Sequence, residues 1–296
     1  MRGTMTSTAQ MVKAYISLTK PGIVFGNAVT AAGGFFLASK HTFRLPLFLW
    51  ALLGLSLIVA SGCVLNNYLD RFSDQKMKRT QSRPLAKKSI SEKKAFVFGV
   101  VLFVLGFFCL ALFTNPYATW IATLGFVIYV GFYTLWKYKT VYGTEIGSIA
   151  GAVPPVVGYC AASGRIDLAA LLLFALVALW QMPHFFAIAI YRMREYASAS
   201  IPVLPIQKGV YVTKIRMLLY MIAFIASGLA LVYFQYTGIW FLSALLLLGS
   251  GWLWRCIQGF KAQNDGIWAR KVFFYSLIVI LGLCTAMMFE TFLKTP

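Results

Sequence analysis

Acidic side chains are scarce: the 296-residue chain has only eight Asp and Glu against 27 Lys and Arg, and charged residues make up 12% of it. Soluble domains carry about 25% charged residues. With 60% hydrophobic residues and a mean hydropathy of +0.76, the composition excludes such a domain and describes an integral membrane protein. The alternating ten-residue pattern of a membrane β-strand is also missing. The apolar runs are instead about 20 residues long, as a helix crossing a ~30 Å hydrocarbon core requires. No CxxC pair occurs among Cys63, Cys109, Cys160, Cys256 and Cys284, and all five fall in or near apolar runs, so they read as small buried hydrophobes. The N-terminal stretch holds Lys13 and Lys20 but no short apolar core ahead of a small-residue cleavage site. A cleavable signal is therefore not expected, and the lack of an Arg-rich transit segment points to a bacterial inner membrane.

The hydropathy pattern predicts an all-α polytopic protein with nine transmembrane helices, at about 22–39, 46–66, 95–114, 117–136, 144–162, 168–190, 214–235, 238–256 and 271–292. Cytoplasmic loops are enriched in Lys and Arg. With the N-terminus cytoplasmic and the C-terminus outside, 23 of the 27 basic residues lie on the inner side, and only Lys40, Arg44, Arg165 and Lys294 lie outside. The net charge of +19 thus follows from topology and attraction to the anionic lipid bilayer, without nucleic acid as a partner. No separate soluble domain is visible, because the two longest loops, about 67–94 and 191–213, are each short. Both follow an even-numbered span, and both combine acid, Arg and Pro: Asp70, Asp74, Arg83 and Pro84 in the first, Arg192, Glu195 and Pro202 in the second. Four spans restore orientation, so a single domain of two parallel half-repeats, about 22–136 and 144–256 plus a ninth helix, is the expected organisation. It would bring both loops over one central cavity.

The strongest chemical signal is the spacing of Asn66, Asp70 and Asp74, where an apolar run meets the basic loop. Four residues are about 400° of helix, so the three side chains form one stripe roughly 12 Å long. Oxygen ligands at a membrane border, with Arg and Lys just downstream, suit a hard cation bridging protein to a phosphorylated substrate. Arg79 and Arg83 offer paired donors to phosphate oxygens, whereas Lys76 and Lys78 act as point charges. His184 lies within the sixth span, in Trp180-Gln181-Met182-Pro183-His184-Phe185. An intramembrane ionisable residue is a functional candidate, and helix packing is the competing explanation. The Gly147 to Gly151 pair and Pro154-Pro155 read as a close helix contact and a kink.

The run Asn66-Asn67-Tyr68-Leu69-Asp70-Arg71-Phe72-Ser73-Asp74, continuing through Lys76, Lys78, Arg79, Thr80, Arg83, Pro84 and Leu85, resembles the NxxxDxxxD signature of the UbiA superfamily of membrane prenyltransferases. Within it the chain is most similar to the haem-farnesylating branch. That likeness is carried by Leu18 through Gly22, Val141 through Thr144, Gly151 through Pro155, Trp180 through Phe185 and Ile201 through Pro205, and it extends over almost the whole chain.

The resemblance implies a nine-helix UbiA-like bundle around a central cavity, capped by two cytoplasmic-side loops. It implies transfer of a farnesyl group from farnesyl diphosphate to a vinyl group of haem b, with water completing the reaction to haem O. By the same resemblance, Asn66, Asp70, Asp74 and Glu195 hold Mg²⁺ against the diphosphate. Arg79, Arg83, Lys76 and Lys78 bind the diphosphate, Arg192 and Arg194 meet the haem propionates, and His184 approaches the iron. A haem A synthase or terminal oxidase assembly partner is implied as well. Two departures from the pattern stand out: Phe72 replaces a further acid, and Glu195 replaces an Asp. Two other readings remain open at this stage, a UbiA-type enzyme acting on an aromatic or quinone precursor, and a secondary transporter.

Overall fold

Helix termini in this chain are written into the sequence. Ser91, Asn115, Asp167 and Asn264 each accept a hydrogen bond from a backbone N–H three residues on, and so cap the helices that begin at Glu92, Pro116, Leu168 and Asp265. Pro21 and Pro116 open their helices, where a missing N–H costs nothing. The computed structural model describes residues 8–39 and 42–293, and among these no strand occurs. Arg2, Lys40 and Lys294, counted among the basic residues above, and His41 lie outside the described residues.

Among the described residues nine helices are long and apolar enough to cross a membrane: Pro21–Ser39, Leu45–Asp74, Glu92–Phe113, Pro116–Trp136, Gly143–Ser163, Leu168–Tyr191, Val210–Tyr233, Ile239–Lys261 and Asp265–Phe292. They are called spans 1 to 9 below. Each overlaps a span expected from hydropathy. The main difference is at the inner end of span 2, expected to stop near 66 but helical to Asp74. At 1.5 Å per residue its 30 residues cover about 45 Å, well beyond the hydrocarbon core.

Spans 1 and 5 cross closely because each offers a glycine to the other. A Cβ on Gly158 would sit 1.9 Å from the Ala31 carbonyl oxygen, and one on Gly34 would sit 1.9 Å from that of Pro155. Around this crossing, one apolar cluster joins spans 1, 2, 4 and 5 through Phe35, Leu55, Ala122 and Val157. A larger one joins spans 5 to 9 through Val156, Leu176, Phe186, Phe224, Trp252 and Val279. The outer surface is apolar too: Phe108, Leu112, Leu219, Leu247 and Ile278 are exposed. Such a continuous apolar exterior requires lipid as its solvent. The chain is a multi-pass membrane protein.

Spans 4 and 8 are each interrupted by a π-helical turn, Ile128–Tyr133 and Leu245–Gly249. An amphipathic N-terminal helix, Thr8–Leu18, is separated from span 1 by Lys20, whose φ is +52°. Asn67 ties it down by donating to the Leu18 carbonyl at 2.9 Å.

Candidate active site

The extension of span 2 carries Asn66, Asp70 and Asp74 on a buried face, while Leu69 and Phe72 are exposed on the others. Phe72 therefore points away from the stripe, under the Arg71 guanidinium. The acid missing at that position is not missing from the face the stripe occupies.

Each member of the stripe meets a different part of the chain. Asn66 Oδ1 accepts from the Lys20 ammonium at 2.7 Å, and its amide donates to the Thr134 hydroxyl at 3.1 Å. Thr134 in turn donates to the Tyr129 carbonyl at 2.8 Å, five residues back, a reach that follows from the wide π-helical turn. Asp70 accepts from the Lys137 ammonium and, at 2.8 Å, from the Tyr138 hydroxyl, both just past the inner end of span 4. Asp74 holds Arg83, whose Nη1 lies 2.8 Å from both carboxylate oxygens, and its carbonyl accepts from the Thr80 hydroxyl at 2.9 Å. The loop after span 2 is thereby folded back onto the helix end.

The second loop closes on the first. Arg79 reaches Glu195 at 3.5 Å, and Arg192 pairs with the same carboxylate at 2.8 Å. Beneath this contact Met77 packs among Ala189, Ala199, Ile201 and Val203, an apolar seal between the loops. Glu195 Oε2 is buried and has no hydrogen bond. Lys76, Lys78 and Arg194 are exposed around the rim. His184 is elsewhere on span 6, about 12 Å along the helix from Arg192 by the rise of eight residues. It sits against Trp180 and Phe273 and hydrogen-bonds Ser276 of span 9.

Burial pushes the Lys20 ammonium down to about 8. It lowers Lys137 as well, against the opposing pull of Asp70. Tyr138 is pushed up by burial and by the Asp70 charge, so its phenol stays a donor. Burial likewise raises Tyr196, beside the second loop, to about 12. The site is thus rich in cations held at low dielectric next to oxygen donors.

In the sequence Lys137 reads only as an orientation charge and Lys20 as one within the Leu18 to Gly22 segment, and nothing there singles out Tyr138 or Thr134. Their signal was weak: single polar residues at span ends, 46 to 68 positions from their partners. Among the described residues no three His, Cys, Asp or Glu side chains gather at one point. An all-protein metal cage is therefore absent there. The donor set still fits Mg²⁺, which typically takes one or two carboxylates and fills its octahedron with substrate phosphate and water.

Comparison with known proteins gives the family and the fold. The model of the UbiA prenyltransferase family matches residues 27–278. The protoheme IX farnesyltransferase of Protochlamydia amoebophila is 51% identical, covering 95% of this chain and 99% of its own, and that of Cronobacter sakazakii is 49% identical, covering 94% of each. Among solved structures, a digeranylgeranylglyceryl phosphate synthase superposes with a TM-score of 0.79 at 19% identity, over 95% of this chain and 98% of its own. A UbiA homolog from Archaeoglobus fulgidus, bound to DMAPP and Mg²⁺, gives 0.66 at 15% identity, over 90% and 98%. Fold and site define a membrane-embedded prenyltransferase, and the chain belongs to the UbiA prenyltransferase family.

Proposed function

We propose that this chain transfers the farnesyl group of farnesyl diphosphate to a vinyl group of haem b, releasing diphosphate and forming haem O. One observation carries the choice of acceptor: identity near 50% over nearly the whole chain to proteins named protoheme IX farnesyltransferase.

The chemistry follows from what the side chains present. The C1–O bond of an allylic diphosphate breaks with its electron pair leaving on oxygen, so the barrier falls when fixed positive charge already faces that oxygen. Asn66, Asp70, Asp74 and Glu195 would hold Mg²⁺ together with substrate oxygens, and the bound ion would supply part of that charge. Arg83 and Arg79 supply paired N–H donors from the folded-back loop. Lys20 and Lys137 add two ammonium groups at the same end of the bundle. Lys76 and Lys78 on the rim steer the anion inward. The vinyl π electrons then bond to farnesyl C1, and water adds to the resulting cation with loss of a proton. Arg192 and Arg194 meet the haem propionates, and His184 meets the iron.

Two parallel half-repeats, 22–136 and 144–256, with a ninth helix, account for several paired features. Loops of like composition follow spans 2 and 6, and π-helical turns interrupt spans 4 and 8. The positive inner loops orient the chain with a cytoplasmic N-terminus in a bacterial inner membrane. A haem A synthase or terminal oxidase is the natural recipient of the product.

The test is mass spectrometry of haem extracted after incubating membranes with farnesyl diphosphate, Mg²⁺ and either haem b or 4-hydroxybenzoate. A mass gain for hydroxyethylfarnesyl on haem is the expected result, and prenylation of the benzoate alone refutes the assignment.

A further inference from the structure

Ser276 is fully buried on span 9, and its hydroxyl makes two short contacts: 2.5 Å to the Phe273 carbonyl oxygen and 2.7 Å to His184 Nδ1. A serine hydroxyl has one proton, and a carbonyl oxygen has none to give. At 2.5 Å the contact with Phe273 requires that proton to lie between the two oxygens, since two bare oxygens repel at this separation. The serine can then only accept from His184, so the proton of the neutral imidazole is on Nδ1. Nε2 is left as a bare lone pair.

The rest of the pocket holds the ring in that role. Trp180 stacks on the imidazole at 4.9 Å between centroids and 26°, and Phe273 packs against it at 4.8 Å, tilted by 38°. The Trp180 indole N–H donates to the Ser276 carbonyl at 2.9 Å, tying spans 6 and 9 together at the same level. Nε2 has no hydrogen-bond partner among the described residues, yet it is not among the polar atoms sealed from solvent without one. It therefore keeps some accessible surface. Phe273 continues to Tyr191, whose hydroxyl accepts from Arg192 at 3.0 Å, so the imidazole and the propionate-binding guanidinium belong to one packed assembly.

We infer that Ser276 is a positioning residue that fixes His184 in the Nδ1–H tautomer and so presents Nε2 as an axial ligand to the iron of the haem substrate. The inference rests on the haem reading of the function. A neutral imidazole with one nitrogen bare is the form that binds a metal, and the hydrogen bond at the other nitrogen sets which one is bare. Partners in this position typically change metal affinity about 10- to 100-fold when removed.

The chain has two histidines, so ¹⁵N-histidine NMR of the full-length protein in detergent resolves His184 directly, with His184→Asn as the assignment control. The expected spectrum has a protonated Nδ1 and a bare Nε2. In Ser276→Ala the two tautomers exchange, and in Ser276→Thr, which keeps the hydroxyl, the single tautomer returns. Haem b titration followed by absorbance supplies the second readout. Wild type shows an imidazole-ligated iron, His184→Ala loses that signature, Ser276→Ala binds haem b at least 10-fold more weakly, and Ser276→Thr recovers most of the affinity. A protonated Nε2 in the wild type overturns the tautomer assignment. An unchanged spectrum in His184→Ala overturns the ligation, and wild-type affinity in Ser276→Ala overturns the role of the serine. Failure of the acceptor assignment is recognised separately, by the absence of any farnesylated haem in the mass spectrum.

Discussion

Replacing Asp70 by Asn separates a carboxylate that performs chemistry from one that merely answers a nearby lysine. Its side chain is 6% exposed and that of Lys137 is 14% exposed, so the ion pair sits largely out of water. Asp70→Asn keeps the size and one acceptor but leaves the ammonium uncompensated, a change that costs about 3–5 kcal/mol in buried pairs. The partial exposure of Lys137 and the remaining Tyr138 hydroxyl put the expected loss near the lower end, about 3 kcal/mol. Turnover falls for a second reason, because Asp70 would help hold the cation that faces the leaving group, and losing one such preorganised contribution typically costs about 10²- to 10³-fold. The double variant Asp70→Asn with Lys137→Met removes both charges together, a change that is often close to neutral for stability. Thermal melting in detergent and haem O formation by mass spectrometry are then measured on wild type, both singles and the double. Stability recovers in the double while turnover stays at least 100-fold down. Turnover restored to within threefold of wild type would mean that Asp70 serves only to partner Lys137, and the reasoning for the stripe would fail with it.

The other expectations are more compact. Glu195→Gln leaves stability within about 1 kcal/mol, since its pairs with Arg79 and Arg192 are half-exposed, but lowers turnover at saturating haem; unchanged turnover removes it from the metal site. Gly158→Ala forces a methyl against the Ala31 carbonyl and costs about 1–3 kcal/mol, read as a lower melting temperature; an unaffected melt shows that spans 1 and 5 can part freely. Chelation with EDTA stops haem O formation and added Mg²⁺ restores it, whereas full activity in EDTA excludes a divalent ion from the reaction.

The spans were legible because a hydrocarbon core imposes one length on every crossing helix, and nothing else in the chain repeats at that length. Hydropathy failed at the inner end of span 2 for an equally physical reason. Asp70, Arg71 and Asp74 end the apolar run, but a helix ends only where its backbone hydrogen bonds do. The four-residue spacing of Asn66, Asp70 and Asp74 was the better guide there, since it has meaning only if the helix continues. The meeting of the two loops was foreshadowed by the recurrence of acid, Arg and Pro after spans 2 and 6. Lys20, Lys137 and Tyr138 were not legible, because orientation alone explains a basic residue at an inner helix end. Their contacts depend on how spans 1, 2 and 4 pack, which no local pattern records. Likewise the partner of His184 is 92 positions away on span 9.

The scarcity of acids turns the whole set into an argument by elimination. Asp167 caps span 6 and pairs with Arg165, and Glu290 accepts from the N–H groups of Gly238 and Phe241 where span 8 begins. Glu92 sits in the first turn of span 3 against Arg71, and Asp265 holds the buried Lys214 where span 9 starts. Asp167, Glu92 and Asp265 stand at the N-terminus of their own helix and Glu290, from the C-terminal end of span 9, reaches that of span 8, where negative charge is stabilised by the backbone N–H groups. Glu145, in the first turn of span 5 beside Arg216, falls in the same class. Asp70 and Asp74 stand instead at a helix C-terminus, where the backbone carbonyls disfavour them, and Glu195, in the first turn of the short helix Met193–Ser198, takes Arg79 from the other loop. Two carboxylates that helix architecture does not explain, drawn from only eight in the chain, lie with Glu195 where the two loops close on each other. Cations brought in from spans 1 and 4 and from both loops keep this arrangement folded, and they are the same groups that a departing diphosphate needs.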